Sequence, residues 1–168
     1  MAKKIIVMGL VLALFCLVSA GLLAWVYVFT KGIIAEQARI KFETSLKEVL
    51  PQASAFTMEA ESIYRGMDGE RLAGYAVSVA PRGYSGKIAI LAGVSVEGKI
   101  IKIKILEQTE TAGLGANVIK PEFLRQFVEK KISDPIEPKK DIQAITGATI
   151  SSRAVCRGVK EALEKIKP

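Results

Sequence analysis

The chain has 168 residues, with 24 basic and 17 acidic side chains, a formal charge of +7, no histidine and two cysteines. The missing histidine excludes His-based triads and His-ligated metals, and two cysteines cannot supply an iron–sulfur ligand set. The lysines are dispersed instead of forming a stripe with interleaved aromatics, which argues against a nucleic-acid surface and leaves any hard chemistry to a borrowed cofactor.

From Ile5 to Thr30 there is no charged residue. A run of this length spans the roughly 30 Å hydrocarbon core of a bilayer, for which about 20 apolar residues suffice. Lys3 and Lys4 stand on one side and Lys31 on the other, with Trp25 and Tyr27 where an interfacial belt belongs. Val18-Ser19-Ala20 also resembles a signal-peptide cleavage site, but the apolar residues continue from Gly21 to Phe29, which favours a retained single-pass helix in the lipid bilayer. Bulky Phe15 does not suit a lipid-modified Cys16. Basic residues flank both ends, so charge alone leaves the orientation open. Beyond the span the charge excess is about +5, which suits proximity to anionic headgroups.

Ile33 to Leu50 reads as a helical stalk, with Phe42, Leu46 and Val49 or Leu50 on one face, stopped at Pro51. The expected organisation is a tail and transmembrane helix over residues 1–30, a stalk over 31–51 and a domain over 52–168. Ala55 to Tyr64 and Leu72 to Ala80 read as strands around a turn at Met67-Asp68-Gly69. Lys87 to Val96 and Lys99 to Leu106 flank Glu97-Gly98, a connection suited to a tight hairpin. Ile101, Ile103 and Ile105 alternate with Lys102 and Lys104, which predicts one buried and one wet face.

Glu107 to Asn117 reads as a loop, followed by a helix from about Pro121 to Val128 with Phe123, Leu124 and Phe127 on its apolar face. Ile132 to Lys140 contains two prolines and mixed charges and reads as an exposed connection. The closing helix, Ser151 to Lys167, places Val155, Val159, Ala162 or Leu163, and Ile166 at helical spacing. Together these elements predict an α+β domain, with a mostly antiparallel sheet and flanking helices, on a membrane stalk.

Just before that last helix stands Asp141-Ile142-Gln143-Ala144-Ile145-Thr146-Gly147-Ala148-Thr149, followed by Ile150-Ser151-Ser152. Gly147 and Ala148 remove bulk where a ligand would approach the backbone, and the free amides of a helix start favour a phosphate. Thr146, Thr149, Ser151 and Ser152 add hydroxyls. The plainer alternative is a helix cap, with Thr149 or Ser151 accepting a bond from an amide two or three residues on.

Gly74-Tyr75, Gly83-Tyr84-Ser85-Gly86, Gly93-Val94, Glu110-Thr111-Ala112-Gly113-Leu114-Gly115, Asp141 and Thr146-Gly147-Ala148-Thr149-Ile150-Ser151-Ser152 follow one another in a characteristic order. In this the chain resembles the G subunit of the Rnf electron-transport complex, within the wider family of covalent-FMN-binding domains shared with the C subunit of the sodium-translocating NADH:quinone reductase. The resemblance covers nearly the whole chain, including the apolar N-terminus.

The resemblance implies that Thr149 carries FMN through a phosphoester bond, installed from FAD and magnesium by a separate flavin transferase. Thr146, Gly147, Ala148, Ser151 and Ser152 would surround the phosphate. Asp141 would be read by the transferase, its plainer role being to orient the turn. Glu110, Thr111, Gly113, Leu114 and Gly115 match a loop beside the flavin, and Tyr84 and Ser85 divide between a structural turn and a cofactor contact. Gln108 stands where many relatives have histidine, and Ala112 where they usually have proline, so a proton role for that histidine is absent here.

The function implied is a non-autonomous electron relay in a complex that couples ferredoxin and NAD to sodium or proton movement, with the domain outside the cytoplasm and other Rnf-type subunits as partners. The chain itself has no Gly-x-Gly-x-x-Gly nicotinamide fingerprint after a strand. A non-redox binding or assembly module is the rival from another class. The equivalent FMN protein of the NADH:quinone reductase is the closer one.

Overall fold

The computed structural model describes residues 2–166. The chain forms two compact units, Met1–Lys41 and Phe42–Pro168. A single helix, α1 (Ala2–Val49), supplies the first unit and opens the second.

In the first unit the large apolar side chains from Ile5 to Ile40 are exposed on every side of the helix. A helix that is apolar all round and buried against nothing requires an apolar solvent, and its backbone bonds, closed within the segment, permit one. Its hydrophobic stretch is long and apolar enough to cross a membrane. Thr30 hides its hydroxyl by donating to the Val26 carbonyl, 3.0 Å away.

The second unit begins with the last turns of α1, where Ser45, Leu46 and Val49 are buried. An antiparallel five-stranded sheet follows in simple chain order: β1 (Ala55–Ala60), β2 (Ile63–Asp68), β3 (Arg71–Val79), β4 (Ala89–Ser95) and β5 (Ile100–Glu107). The expected strand from Ala55 to Tyr64 is two strands. Ser62, at φ 70°, turns the chain so that Ala60 pairs with Ile63. Glu61-Ser62 contains none of the usual Gly, Asn or Pro signals for such a turn. The turns at Gly69 and at Glu97-Gly98 lie where the sequence puts them.

In β5 the alternation is interrupted. Pairing shifts between Gly93 and Val94, so Ile100 points into the core with Ile103 while Ile101 is only half-buried. A bulge of this kind changes the face of every residue before it. Nor is the opposite face simply wet. Leu46 and Val49 of α1 pack there against Ala76 and Leu91, and Glu48 pairs with Lys102, at 3.1 Å, and with Lys104.

The main core fills the other side. There α3 (Thr149–Lys165) lays Val155, Val159, Ala162 and Leu163 against Val77, Ile90 and Ile103. The short helix α2 (Pro121–Leu124) tightens into a single 3-10 turn, Arg125–Phe127, and closes one end with Phe123 and Phe127 edge to face at 5.4 Å. The connection from Ile132 to Lys140 is anchored, contrary to its composition. Ile136 is buried in the core at φ 44°, a backbone conformation held by Asp141, whose carboxylate accepts the amides of Ile136 and Glu137 at 3.1 and 2.9 Å.

Leu50 ends the helix inside the second unit and is fully buried. A Cβ on Gly74 would come within 3.1 Å of its Cδ1, so leucine and glycine fit as a pair. Leu50→Ala is expected to destabilise the detergent-solubilised chain by about 2–5 kcal/mol, read as a lowered urea midpoint with unchanged slope.

Candidate cofactor site at the start of the last helix

Helix α3 begins without a side-chain cap. Ala148 occupies the cap position, and no side chain bonds to the first free amides. The hydroxyls that composition offers for capping are placed otherwise. Ser152 is fully buried, accepts the Ile145 amide at 3.0 Å and donates to the Ala148 carbonyl at 2.9 Å. Ser151 is buried and donates to the carboxylate of Glu110. Thr146 lies exposed in the preceding turn, and Thr149 is half-buried at the first helical position. A helix start of this kind presents amides and the positive end of the helix dipole to an anion.

Gly147 makes the approach to that helix. It sits at φ 76°, and a Cβ there would stand 3.0 Å from Leu114 Cδ2. A side chain would be strained by the backbone and would crowd the loop opposite.

That opposite loop is organised by Glu110. The Gln108 side-chain oxygen accepts the Glu110 amide at 2.6 Å, which curls the chain after β5. The Glu110 carboxylate then accepts the amides of Tyr84, Ser85 and Gly86 at 3.2, 3.0 and 3.4 Å, besides the Ser151 hydroxyl. Gly115 lets this happen, since a Cβ there would stand 2.7 Å from both Glu110 Oε2 and Ser151 Oγ. Burial opposes ionisation of Glu110. The Ser151 hydroxyl and the three amides outweigh it and hold the carboxyl below the usual carboxylate range.

Between these parts lies a cleft of about 570 Å³, within the span of small-molecule sites. Of the residues singled out from the sequence, Tyr84, Glu110, Thr111, Leu114, Gly115, Gly147, Ala148, Thr149 and Ser151 line it. Thr146, Ser85, Gly113 and Ser152 do not. The Ser85 amide and Ser152 support the walls, while the Gly113 carbonyl accepts the Asn117 side-chain amide at 2.8 Å. Asp141 also lies outside the cleft. Its carboxylate pairs with Lys130 at 2.7 Å and fixes the 136–137 turn. Burial works against its charge, but Lys130 and the two amides prevail and lower its pKa. Ile150 lines the cleft too, half-exposed, and the motif reading passes over it. Its one signal is an apolar residue in the first turn of an otherwise amphipathic helix.

The arrangement suits a ligand with a planar apolar part and an anionic end. Leu114, Ile150 and Tyr84 offer apolar surface, and the uncapped amides of α3 face the anion. No group of three metal-ligating side chains occurs among the described residues. Cys156, on the buried face of α3, has its thiol pushed up to about 12 by burial and is an inert packing group.

Comparison with known proteins gives the family. Residues 83–164 match the FMN-binding domain family and residues 1–49 match the RnfG N-terminal region. The G subunit of the proton-translocating ferredoxin:NAD(+) oxidoreductase complex of Clostridium ljungdahlii is 37% identical over 164 residues, covering 92% of this chain and 88% of that protein. The chain belongs to the RnfG family. The G subunit of the ion-translocating oxidoreductase complex of Escherichia coli K12 is 33% identical, over 96% of this chain and 91% of its own. That of the Na(+)-translocating ferredoxin:NAD(+) oxidoreductase complex of Acetobacterium woodii is 30% identical, over 96% and 91%. Among solved structures, NqrC of Shewanella oneidensis shares the fold, with TM-score 0.51 and 18% identity over 68% of this chain and 67% of that one. Membership in the RnfG family, with the exposed apolar helix, supports a membrane anchor.

The depressed carboxylates of Glu110 and Asp141 contribute a pH dependence, to which Glu48 and Glu137, also lowered by their lysine partners, add. The unfolded chain takes up protons near the ordinary values of 4.5 for Glu110 and 3.8 for Asp141, while the folded chain resists until lower pH. Their contribution is therefore complete above about 4.5 and is lost as pH falls through the folded values. Thermal melts are expected to show a decline in Tm below about pH 4.5, with a shallower slope in Asp141→Asn.

Proposed function

We propose that this chain is a membrane-anchored flavoprotein subunit that relays electrons through FMN joined by a phosphoester bond to Thr149. It would act within a complex coupling electron transfer between ferredoxin and NAD to sodium or proton translocation. Family membership supports the flavin and the complex. The observation that carries the choice of Thr149 is the sorting of hydroxyls around α3. Ser151 and Ser152 are buried and bonded and Thr146 is outside the cleft, whereas Thr149 lines it at the helix start, half-buried.

FMN, when bound, accepts and releases electrons one or two at a time. The work of this chain is to hold it. Thr149 Oγ1 supplies the oxygen of the new P–O bond and surrenders its proton to a base outside this chain, since an unassisted threonine hydroxyl is a weak nucleophile. With FAD as donor, the pyrophosphate bond breaks and AMP departs. The uncapped α3 amides would hold the phosphate, Gly147 leaves the approach clear, and Leu114, Ile150 and Tyr84 would give the ring an apolar bed. Asp141 serves maturation by shape: a flavin transferase would meet a loop that this carboxylate holds in place.

In this reading the domain lies on the extracytoplasmic side of the cell membrane and the other proteins of the complex are its redox partners. The chain is a relay with no catalysis of its own. The quinone-reductase alternative is less favoured, because the Clostridium, Escherichia and Acetobacterium relatives are all G subunits of ion-translocating oxidoreductase complexes. NqrC supports the fold alone.

Full-length protein from cells that contain the transferase is expected to fluoresce under ultraviolet light after SDS denaturation, with an intact mass raised by one FMN. Thr149→Ala should lose both signals. A wild-type band that is dark and of unmodified mass would overturn the reading.

A further inference from the structure

Among the side chains lining the cleft, Glu110 is the one that carries a formal charge. Its residue is only 7% exposed, and its four hydrogen-bond donors are three backbone amides and a serine hydroxyl. A buried carboxylate normally has a cation beside it. Here no lysine or arginine lines the cleft, so the negative charge is solvated by dipoles and not cancelled. The same dipoles keep it ionised at physiological pH.

A brace alone does not explain a full charge. A glutamine of the same shape would still accept from Ser85 and Gly86 through its oxygen, and the Ser151 hydroxyl can rotate to accept from its amide. The contact to Tyr84, at 3.2 Å, would be lost. What the carboxylate adds over the amide is a fixed field, acting in a partly enclosed cleft where charges are weakly screened.

We propose that Glu110 is a potential-setting residue, whose fixed negative charge opposes the arrival of electrons on a ring seated in the cleft and so lowers the reduction potential of the FMN. This rests on the preceding reading for the identity of the occupant. Reduction that leaves net negative charge on the ring is opposed by an anion in the wall, whereas a route in which a proton cancels that charge is not. The positive end of α3 acts in the opposite sense, but in that reading the phosphate on Thr149 faces it.

The test is spectroelectrochemical titration of full-length, flavin-loaded protein at neutral pH, with fluorescence after SDS reporting attachment. Glu110→Gln is expected to move the two-electron equilibrium about tenfold toward the reduced form, a positive shift of about 30 mV. Ser151→Ala keeps the charge and removes one of its donors, so its potential should move the other way. Opposite signs cannot come from general loosening of the site. Glu107→Gln, an exposed charge outside the cleft, should leave the potential in place.

A fluorescent Glu110→Gln protein with wild-type potential overturns the inference while leaving the tether intact. If Glu110→Gln cannot be loaded, Ser151→Ala decides: a negative shift supports the assignment, and an unchanged or positive one refutes it. Absence of attached flavin in the wild type refutes the preceding reading instead.

Discussion

The site depends on one carboxylate accepting hydrogen bonds from separate stretches of chain. Glu110 follows β5, the Tyr84-Ser85-Gly86 amides belong to the loop between β3 and β4, and Ser151 belongs to the first turn of α3. These segments lie far apart in sequence. No local preference brings them together, so the cleft exists only once the sheet has formed and α3 has packed on it.

The sheet makes this possible by being covered on both faces. The end of α1 seats Leu46 and Val49 on one face, and α3 fills the other with Val155, Val159, Ala162 and Leu163. The α3 start is held by the core beneath it and by Ser152, whose hydroxyl bridges Ile145 and Ala148. With Ser152 committed to the backbone and Ser151 to Glu110, the first amides of the helix remain without side-chain partners. In most helices a polar side chain at the cap position satisfies such amides. Here the packing that fixes the helix also removes its natural caps.

Much of this was legible in the chain. The Gly69 and Gly98 turns placed two of the hairpins, helical spacing gave α3, and unbroken apolarity gave the N-terminal helix. Three features were not. Ser62 turns the chain with no glycine to announce it, because pairing on both flanks outweighs its local preference. The bulge before Ile103 reverses the faces of Ile100 and Ile101, and periodicity cannot reveal a register shift that the partner strand dictates. Ile136 hides in the core behind a segment of prolines and charges, since its burial depends on Asp141 holding the turn from outside. In the site, motif order named most of the cleft lining. It could not sort four nearby hydroxyls into two buried, one exposed and one on the cleft, because that sorting belongs to helix phase and to Glu110.

Gln108 holds the loop of the site at its root. Its side chain accepts the amide of Glu110 itself, a role that needs an acceptor and no proton exchange. The loop is thus held by geometry at its root while the charge two residues on is held by dipoles. An anionic cofactor in this cleft meets helix amides in its favour and the Glu110 carboxylate against it, with no lysine or arginine in the lining to tip the balance. Reversible binding of a phosphate monoester would gain nothing from a cationic side chain among the described lining residues. Under the proposed function a bond to Thr149 would make retention independent of the electrostatics of the wall. Under that proposal the wall could carry the Glu110 charge without loss of the cofactor.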